Sequence, residues 1–121
     1  MQRLLEEIRA CTLCAEFLPL GPRPTLSAVP ASKILLIGQA PGRRVHETGI
    51  PWDDPSGDRL RDWLNLSTEQ FYNPEILALV PMGFCYPGKG KSGDLPPRPE
   101  CKEAWHQQLL DALGEVRLTL L

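Results

Sequence analysis

Several things are missing from this chain of 121 residues, and each absence removes a class of function. No stretch of about 18 apolar residues is present, so no membrane-spanning helix and no membrane partner is expected. The N-terminal MQRLLEEIRAC lacks the apolar core of a secretory signal, which predicts an intracellular, cytoplasmic protein. The glycine loop after the first apolar run, GQAPG, is neither the GxGxxG dinucleotide fingerprint nor a P-loop, since GxxxxGK followed by Ser or Thr is absent. Internal repeats and low-complexity segments are absent, so a solenoid is not expected. An excess of one charge sign is missing too: 13 Lys and Arg stand against 15 Asp and Glu, a net charge of -2. The global field therefore carries no nucleic-acid footprint, although Arg43, Arg44, Lys89 and Lys91 form local basic spots.

What is present describes one domain, with 42% hydrophobic residues and enough length to bury about two thirds of its unfolded surface. Thirteen prolines and ten glycines predict long, shaped loops, where sites tend to sit. Gln2 to Ala10 reads as a short helix with Leu4, Leu5 and Ile8 on one face. Pro19 to Pro30 reads as an extended loop. Lys33 to Gly38 contains an apolar run too short for a helix and suited to a central parallel strand. Ser56 to Leu64 is a predicted helix with Ser56 as N-cap, and Ile76 to Val80 a second strand. Gly83 to Pro99 reads as loop. Glu100 to Leu113 reads as an amphipathic helix stopped by Gly114, and Val116 to Leu121 as a third strand. The alternation predicts an α/β fold, three layers in the order αβα with a central parallel sheet. A parallel strand at the very end of the chain has nothing after it to cover it, so the domain is expected to be incomplete at its C-terminus.

Four cysteines form a CxxC pair, Cys11 and Cys14, and a second pair, Cys85 and Cys101, with 15 residues between them. A redox CxxC belongs at the start of a helix after a strand, whereas this one follows a helix. Four independent buried thiols are another reading, since cysteine is among the most buried residue types. The third is a four-thiolate metal site holding zinc or a cubane iron-sulfur cluster, and spacing does not choose between the two. The proline-stiffened loop from Tyr86 to Glu100 is the kind of segment that such a clamp would order.

Gly38-Gln39-Ala40-Pro41-Gly42 follows the first strand, where open α/β sheets bind their ligands. Its glycines permit sharp turning and close approach, and Pro41 stiffens the loop between them. Trp63 and Trp105 lie at helical core spacings and are expected to pack inside. Trp52 instead sits in a loop after Gly49 and Pro51 and before Asp53 and Asp54, where it could plug the core or offer a platform to a planar base. His46 and Glu47 are adjacent and read either as an acid/base pair or as a solvated surface pair, while His106, beside Trp105, is expected to be exposed.

Together these residues resemble the uracil-DNA glycosylase superfamily, in particular its iron-sulfur branch, often called family 4. That branch carries GEAPG, six residues, Gly-X-Pro-Phe, and a further glycine ahead of a helix. Here GQAPG is followed by six residues, Gly49-Ile50-Pro51-Trp52, and Gly57 ahead of Arg59 and Leu60. Its cluster ligands are an N-terminal CxxC, a cysteine after the second strand, and a fourth about fifteen residues later, as are Cys11, Cys14, Cys85 and Cys101. The resemblance implies a monomeric DNA base-excision repair glycosylase with a structural 4Fe-4S cluster, zinc being the alternative. Its partner would be DNA containing uracil or a related damaged base. Gly38, Gln39, Ala40, Pro41, Gly42 and Trp52 would bind the flipped base, with Arg43 and Arg44 near phosphates. Gln39 stands where the family has glutamate, and so offers hydrogen bonds but no general base. Ala40 replaces an aspartate or asparagine of other branches, and Pro81 the asparagine that reads the uracil edge. The family's histidine motif would lie past Leu121. Gln39, His46, Glu47, Asp53 and Asp54 are the remaining candidates for chemistry. The alternative is a non-catalytic iron-sulfur or zinc module that binds a flipped base or nucleotide.

Overall fold

A computed structural model describes residues 1–114 and 116–120. Of the predicted third strand, Val116 to Leu121, only Leu121 lies outside that range. Strand β1 (Ile34–Leu36) lies between β2 (Leu77–Leu79) and β5 (Leu118–Leu120), parallel to both. Ile34 is in register with Leu77 and Leu118, and Leu36 with Leu79 and Leu120. The fold is α/β, as the alternation of patterns implies.

Successive side chains of a strand point to opposite faces, and here both faces are covered. Leu35, Ala78 and Val80 pack on one side with Leu5 and Ile8 of α1 (Gln2–Arg9) and with Leu109 and Leu113. Leu36, Leu77 and Leu79 pack on the other with Leu60 and Leu64 of α3 (Pro55–Leu64) and Phe71 of α4 (Thr68–Phe71). This two-sided burial is why β1 and β2 read as continuous apolar runs. Each fully buried Leu, Ile or Phe contributes about 1.5–3 kcal/mol of transfer free energy. The outer edge of β2 is closed by Ser27, which exchanges two backbone hydrogen bonds with Leu79 at 2.7 and 3.0 Å. Among the described residues no helix is long and apolar enough to cross a membrane.

Several local expectations change. The segment between Gly42 and Gly49 is a short helix, α2 (Arg43–Thr48), and Gly49 ends it at φ 76. Arg23 secures that end by donating to the carbonyls of His46 and Glu47, both at 2.8 Å. The N-cap of α3 is Asp54, whose carboxylate accepts from the Gly57 N–H at 2.8 Å. Ser56 is not the cap, because Pro55, with no N–H to lose and a helical φ already set, takes the first helical position. Serine and glutamine close a reciprocal capping box around α4, Ser67 with Gln70. Within the expected loop 83–99 a hairpin forms from β3 (Lys89–Gly90) and β4 (Gly93–Asp94).

The last helical segment comprises α5 (Pro99–Cys101), a π-helical turn (Lys102–His106) and α6 (Gln107–Ala112), continuous in helical backbone. The π turn shifts the helical phase, and this corrects one assignment on it. His106 is buried rather than exposed, stacked on Phe84 with ring centroids 5.4 Å apart. Trp105 is half-buried against the core, as expected, and its N–H reaches Cys11. Trp63, predicted to pack inside, is 75% exposed. The apolar face of α3 is carried by Leu60 and Leu64, which leaves the indole on the rim.

Candidate functional site

The carboxyl ends of β1 and β2 are tied together beyond the strands. Gly38 accepts from the Met82 N–H at 2.8 Å, and Gln39 from the Gly83 N–H at 2.9 Å. The carbonyls of the GQAPG loop are thereby occupied on the β2 side, and the loop is held as the floor of a cavity of about 260 Å³. All of Gly38, Gln39, Ala40, Pro41, Gly42 and Trp52 line it. So do Thr25, Pro81, Asp54 and, from the hairpin, Asp94. That volume is just under the roughly 300 Å³ at which drug-sized pockets begin, and suits one planar base better than a dinucleotide.

Trp52 forms one wall, in a backbone conformation its residue type rarely adopts, φ 62. Holding a bulky residue there costs on the order of 1–3 kcal/mol and requires neighbours that over-determine it. Three are visible. Arg61 of α3 donates to the Trp52 carbonyl at 3.2 Å, and its side chain is only 11% exposed. The Tyr72 hydroxyl donates to the Pro51 carbonyl at 2.7 Å while accepting from Arg61 at 3.1 Å. Gly57, on the first turn of α3, lies directly under the Trp52 carbonyl, where any side chain would collide. The indole edge in turn rests over Gly38, with Cζ2 3.1 Å from where a Cβ would stand, so only glycine leaves that space free.

The structure does not bring His46, Glu47 or Asp53 into the cavity lining. His46 is buried beneath α2, its Nδ1 without a hydrogen-bond partner and its ring 6.2 Å from that of Tyr86. Glu47 turns outward to pair with Arg43 at 3.0 Å, the helical i,i+4 arrangement. Adjacent positions on a helix point in different directions, so the two cannot act as one acid/base pair. Asp54, one residue beyond Asp53, lines the cavity because its capping role turns it inward. Asp94 had no signal in the sequence: it arrives from a hairpin more than fifty residues after Gly42 and sets its Oδ2 3.5 Å from the space a Cβ on Gly42 would occupy.

The four cysteines are brought together elsewhere. Cys11 and Cys14 leave α1, Cys85 follows β2, Cys101 ends α5, and all four are free and line one small cavity. The Trp105 indole N–H donates to Cys11 Sγ at 3.3 Å, and Cys14 donates to Glu100 at 3.4 Å. Burial pushes the Cys14 thiol up to about 11, helped by its bond to Glu100 and by Cys101 nearby. Burial likewise lifts Cys85 to about 11, with Cys101, Cys11 and Cys14 adding to the rise, and it raises Cys101. Thiols that oppose each other's ionisation are the donor set a shared cation would relieve. They form a common lining rather than a closed cage: among the described residues no group of three or more His, Cys, Asp or Glu is arranged to hold a metal ion.

This is a three-layer α/β protein whose parallel strands end on an aromatic-walled cavity, the place where open α/β sheets bind ligands. A family model, the Uracil DNA glycosylase superfamily, matches residues 26–120. The chain belongs to that superfamily.

Proposed function

We propose that the chain acts as a DNA glycosylase-like protein of base-excision repair, receiving in the cavity above GQAPG a uracil or related damaged base flipped out of DNA. The observation that carries this is the restrained tryptophan: Arg61, Tyr72 and Gly57 hold Trp52 in a strained conformation as a wall of that cavity. Strain maintained at a cavity wall fits preorganisation for a ligand better than it fits core filling. A base inside a duplex is out of reach, so extrusion must precede any chemistry, and an aromatic face then replaces the lost stacking.

In this reading the Gln39 amide and the loop backbone hold the base edge, since an amide both donates and accepts. Cleavage passes through an oxocarbenium-like sugar, and carboxylates placed beforehand stabilise that developing charge. Asp54 and Asp94 are the carboxylates in position. His46, Glu47 and Asp53 receive no step, because they lie outside the cavity. Arg43 and Arg44 on exposed α2, next to the cavity mouth, are available to phosphates.

The donor chemistry of Cys11, Cys14, Cys85 and Cys101 fits a cubane iron-sulfur cluster of the family's iron-sulfur branch. Support comes from four convergent free thiols and from an indole N–H donating to one of the sulfurs. Bound, the cluster would clamp the loop between Cys85 and Cys101, which carries Asp94, against the N-terminal helix.

The test combines substrate and wall. Base release from single- and double-stranded DNA carrying uracil, hypoxanthine or oxidised bases is measured for the wild type, and affinity for abasic-site DNA for the wild type and Trp52→Ala. Loss of about 1–3 kcal/mol of binding in the variant is expected. Unchanged affinity together with no base release would overturn the proposal.

A further inference from the structure

The charge of the cavity is one-sided. Its lining holds two carboxylates, Asp54 and Asp94, and an indole, and among the described residues no lysine, arginine or histidine lines it. Arg44, and on the hairpin Lys89, opposite Asp94, and Lys91, are exposed to solvent outside the lining, and other cations nearby are paired. Arg43 pairs with Glu47 at 3.0 Å, Arg61 with Asp58 at 2.7 Å beneath Trp52, and Arg98 with Glu100 at 2.8 Å on the cysteine side. Among the described residues neither Asp54 nor Asp94 belongs to a salt bridge. Asp54 commits one oxygen, Oδ1, to the Gly57 N–H. Asp94 stands over Gly42 from the exposed hairpin.

Such a lining discriminates between leaving groups. When the bond between C1′ and uracil N1 breaks, the electron pair stays on the base, and an anion forms between two carboxylates with no lining cation to receive it. Like charge at close range in a partly desolvated site is unfavourable. A purine alkylated at N3 or N7 behaves differently, because its ring is already positive while attached to the sugar. Breaking C1′–N9 sends the pair into that ring and releases a neutral base; water adds to C1′ and gives up one proton, leaving the abasic sugar. The positive charge passes from base to sugar and never leaves the neighbourhood of the carboxylates. The face of an indole is also the best aromatic partner for a cation.

We propose that this cavity selects a positively charged, ring-alkylated purine over neutral uracil, with Asp94 as the residue that sets the preference. The inference rests on the base-pocket reading above and deepens it. The full chain is assayed with oligonucleotides carrying 7-methylguanine, uracil or unmodified guanine, by fluorescence anisotropy and by mass-spectrometric detection of free base. Wild type, Asp94→Asn and Trp52→Ala are compared, with the melting temperature of each recorded to confirm folding. The expected result is a preference of about tenfold or more for 7-methylguanine over uracil, reduced to near parity by Asp94→Asn, with modified-base binding weakened about 5- to 150-fold in Trp52→Ala. If uracil DNA is bound or cleaved as well as 7-methylguanine DNA and Trp52→Ala still weakens both, the charge inference falls and the base pocket stands. If Asp94→Asn keeps the full preference, Asp94 does not set it. If no modified base is preferred to guanine and Trp52→Ala changes nothing, the pocket reading falls as well.

Discussion

Replacing Gly57 by alanine tests the device that holds Trp52. A Cβ at that position would overlap the Trp52 carbonyl oxygen, with the carbonyl carbon at 2.7 Å and Trp52 Cβ at 3.0 Å. The obstructing atoms are backbone, so no side-chain rotation relieves the overlap. Either the first turn of α3 lifts or Trp52 leaves its left-handed conformation. Overpacking of this kind costs about 1–3 kcal/mol. Displacing the carbonyl also loosens the bond from Arg61, a charge-assisted contact of a mostly buried guanidinium worth about 1.5 kcal/mol. Relaxation of the φ 62 backbone returns on the order of 1–2 kcal/mol. The net expectation is destabilisation by about 2 kcal/mol, a fall of about 8 °C in melting temperature for a domain of this size. Calorimetry measures that fall, and affinity for abasic-site DNA should drop with it, because the wall is no longer positioned. Gly38→Ala supplies the graded control. There the nearest atom is the indole Cζ2 at 3.1 Å, a side-chain atom that yields by a few tenths of an ångström, so stability should change less. A Gly57→Ala protein with wild-type melting and wild-type affinity would refute the reasoning that Trp52 is held from below.

Two further outcomes follow from buried groups. Burial lowers the His106 imidazole below its usual 6.5, a shift only partly opposed by its bond to the Pro81 carbonyl at 2.9 Å. The unfolded chain therefore takes up the proton first, so His106 adds stability that is present above pH 6.5 and is lost as pH falls from there through the folded value. In urea titrations at pH 5 and 7.5, His106→Gln should show a smaller acid loss than the wild type, and an identical loss in both would refute the assignment. Prepared without oxygen, the chain should be brown, with roughly four irons and matching sulfide per molecule, and Cys101→Ser should lose most of the colour. Colourless protein containing stoichiometric zinc would assign the four thiols to zinc instead.

What could be read from the sequence was local or periodic. The apolar runs at 33–38 and 76–80 announced strands because both faces of the sheet are buried, which leaves no polar alternation to confuse them with helix. The spacing from GQAPG to Trp52 placed loop and wall together because it lies within one connection after β1. Cysteine spacing marked four positions that do converge. What escaped was set by contacts distant in sequence. The phase of the last helix turns on a π turn that no periodicity announces, and it sends His106 inward to Pro81. Trp63 sits at a spacing suited to the core, yet Leu60 and Leu64 already fill that face. The conformation of Trp52 depends on Arg61, Tyr72 and Gly57, of which only Gly57 carried a signal, as the motif's glycine ahead of a helix. Asp94 joins the cavity only because a hairpin folds back over Gly42. By itself, then, the sequence determined the layers, the loop at the strand ends and the four thiols, since burial and spacing act along the chain. Tertiary structure alone decided which charges face the ligand and how its wall is held, because these depend on side chains that meet across the fold.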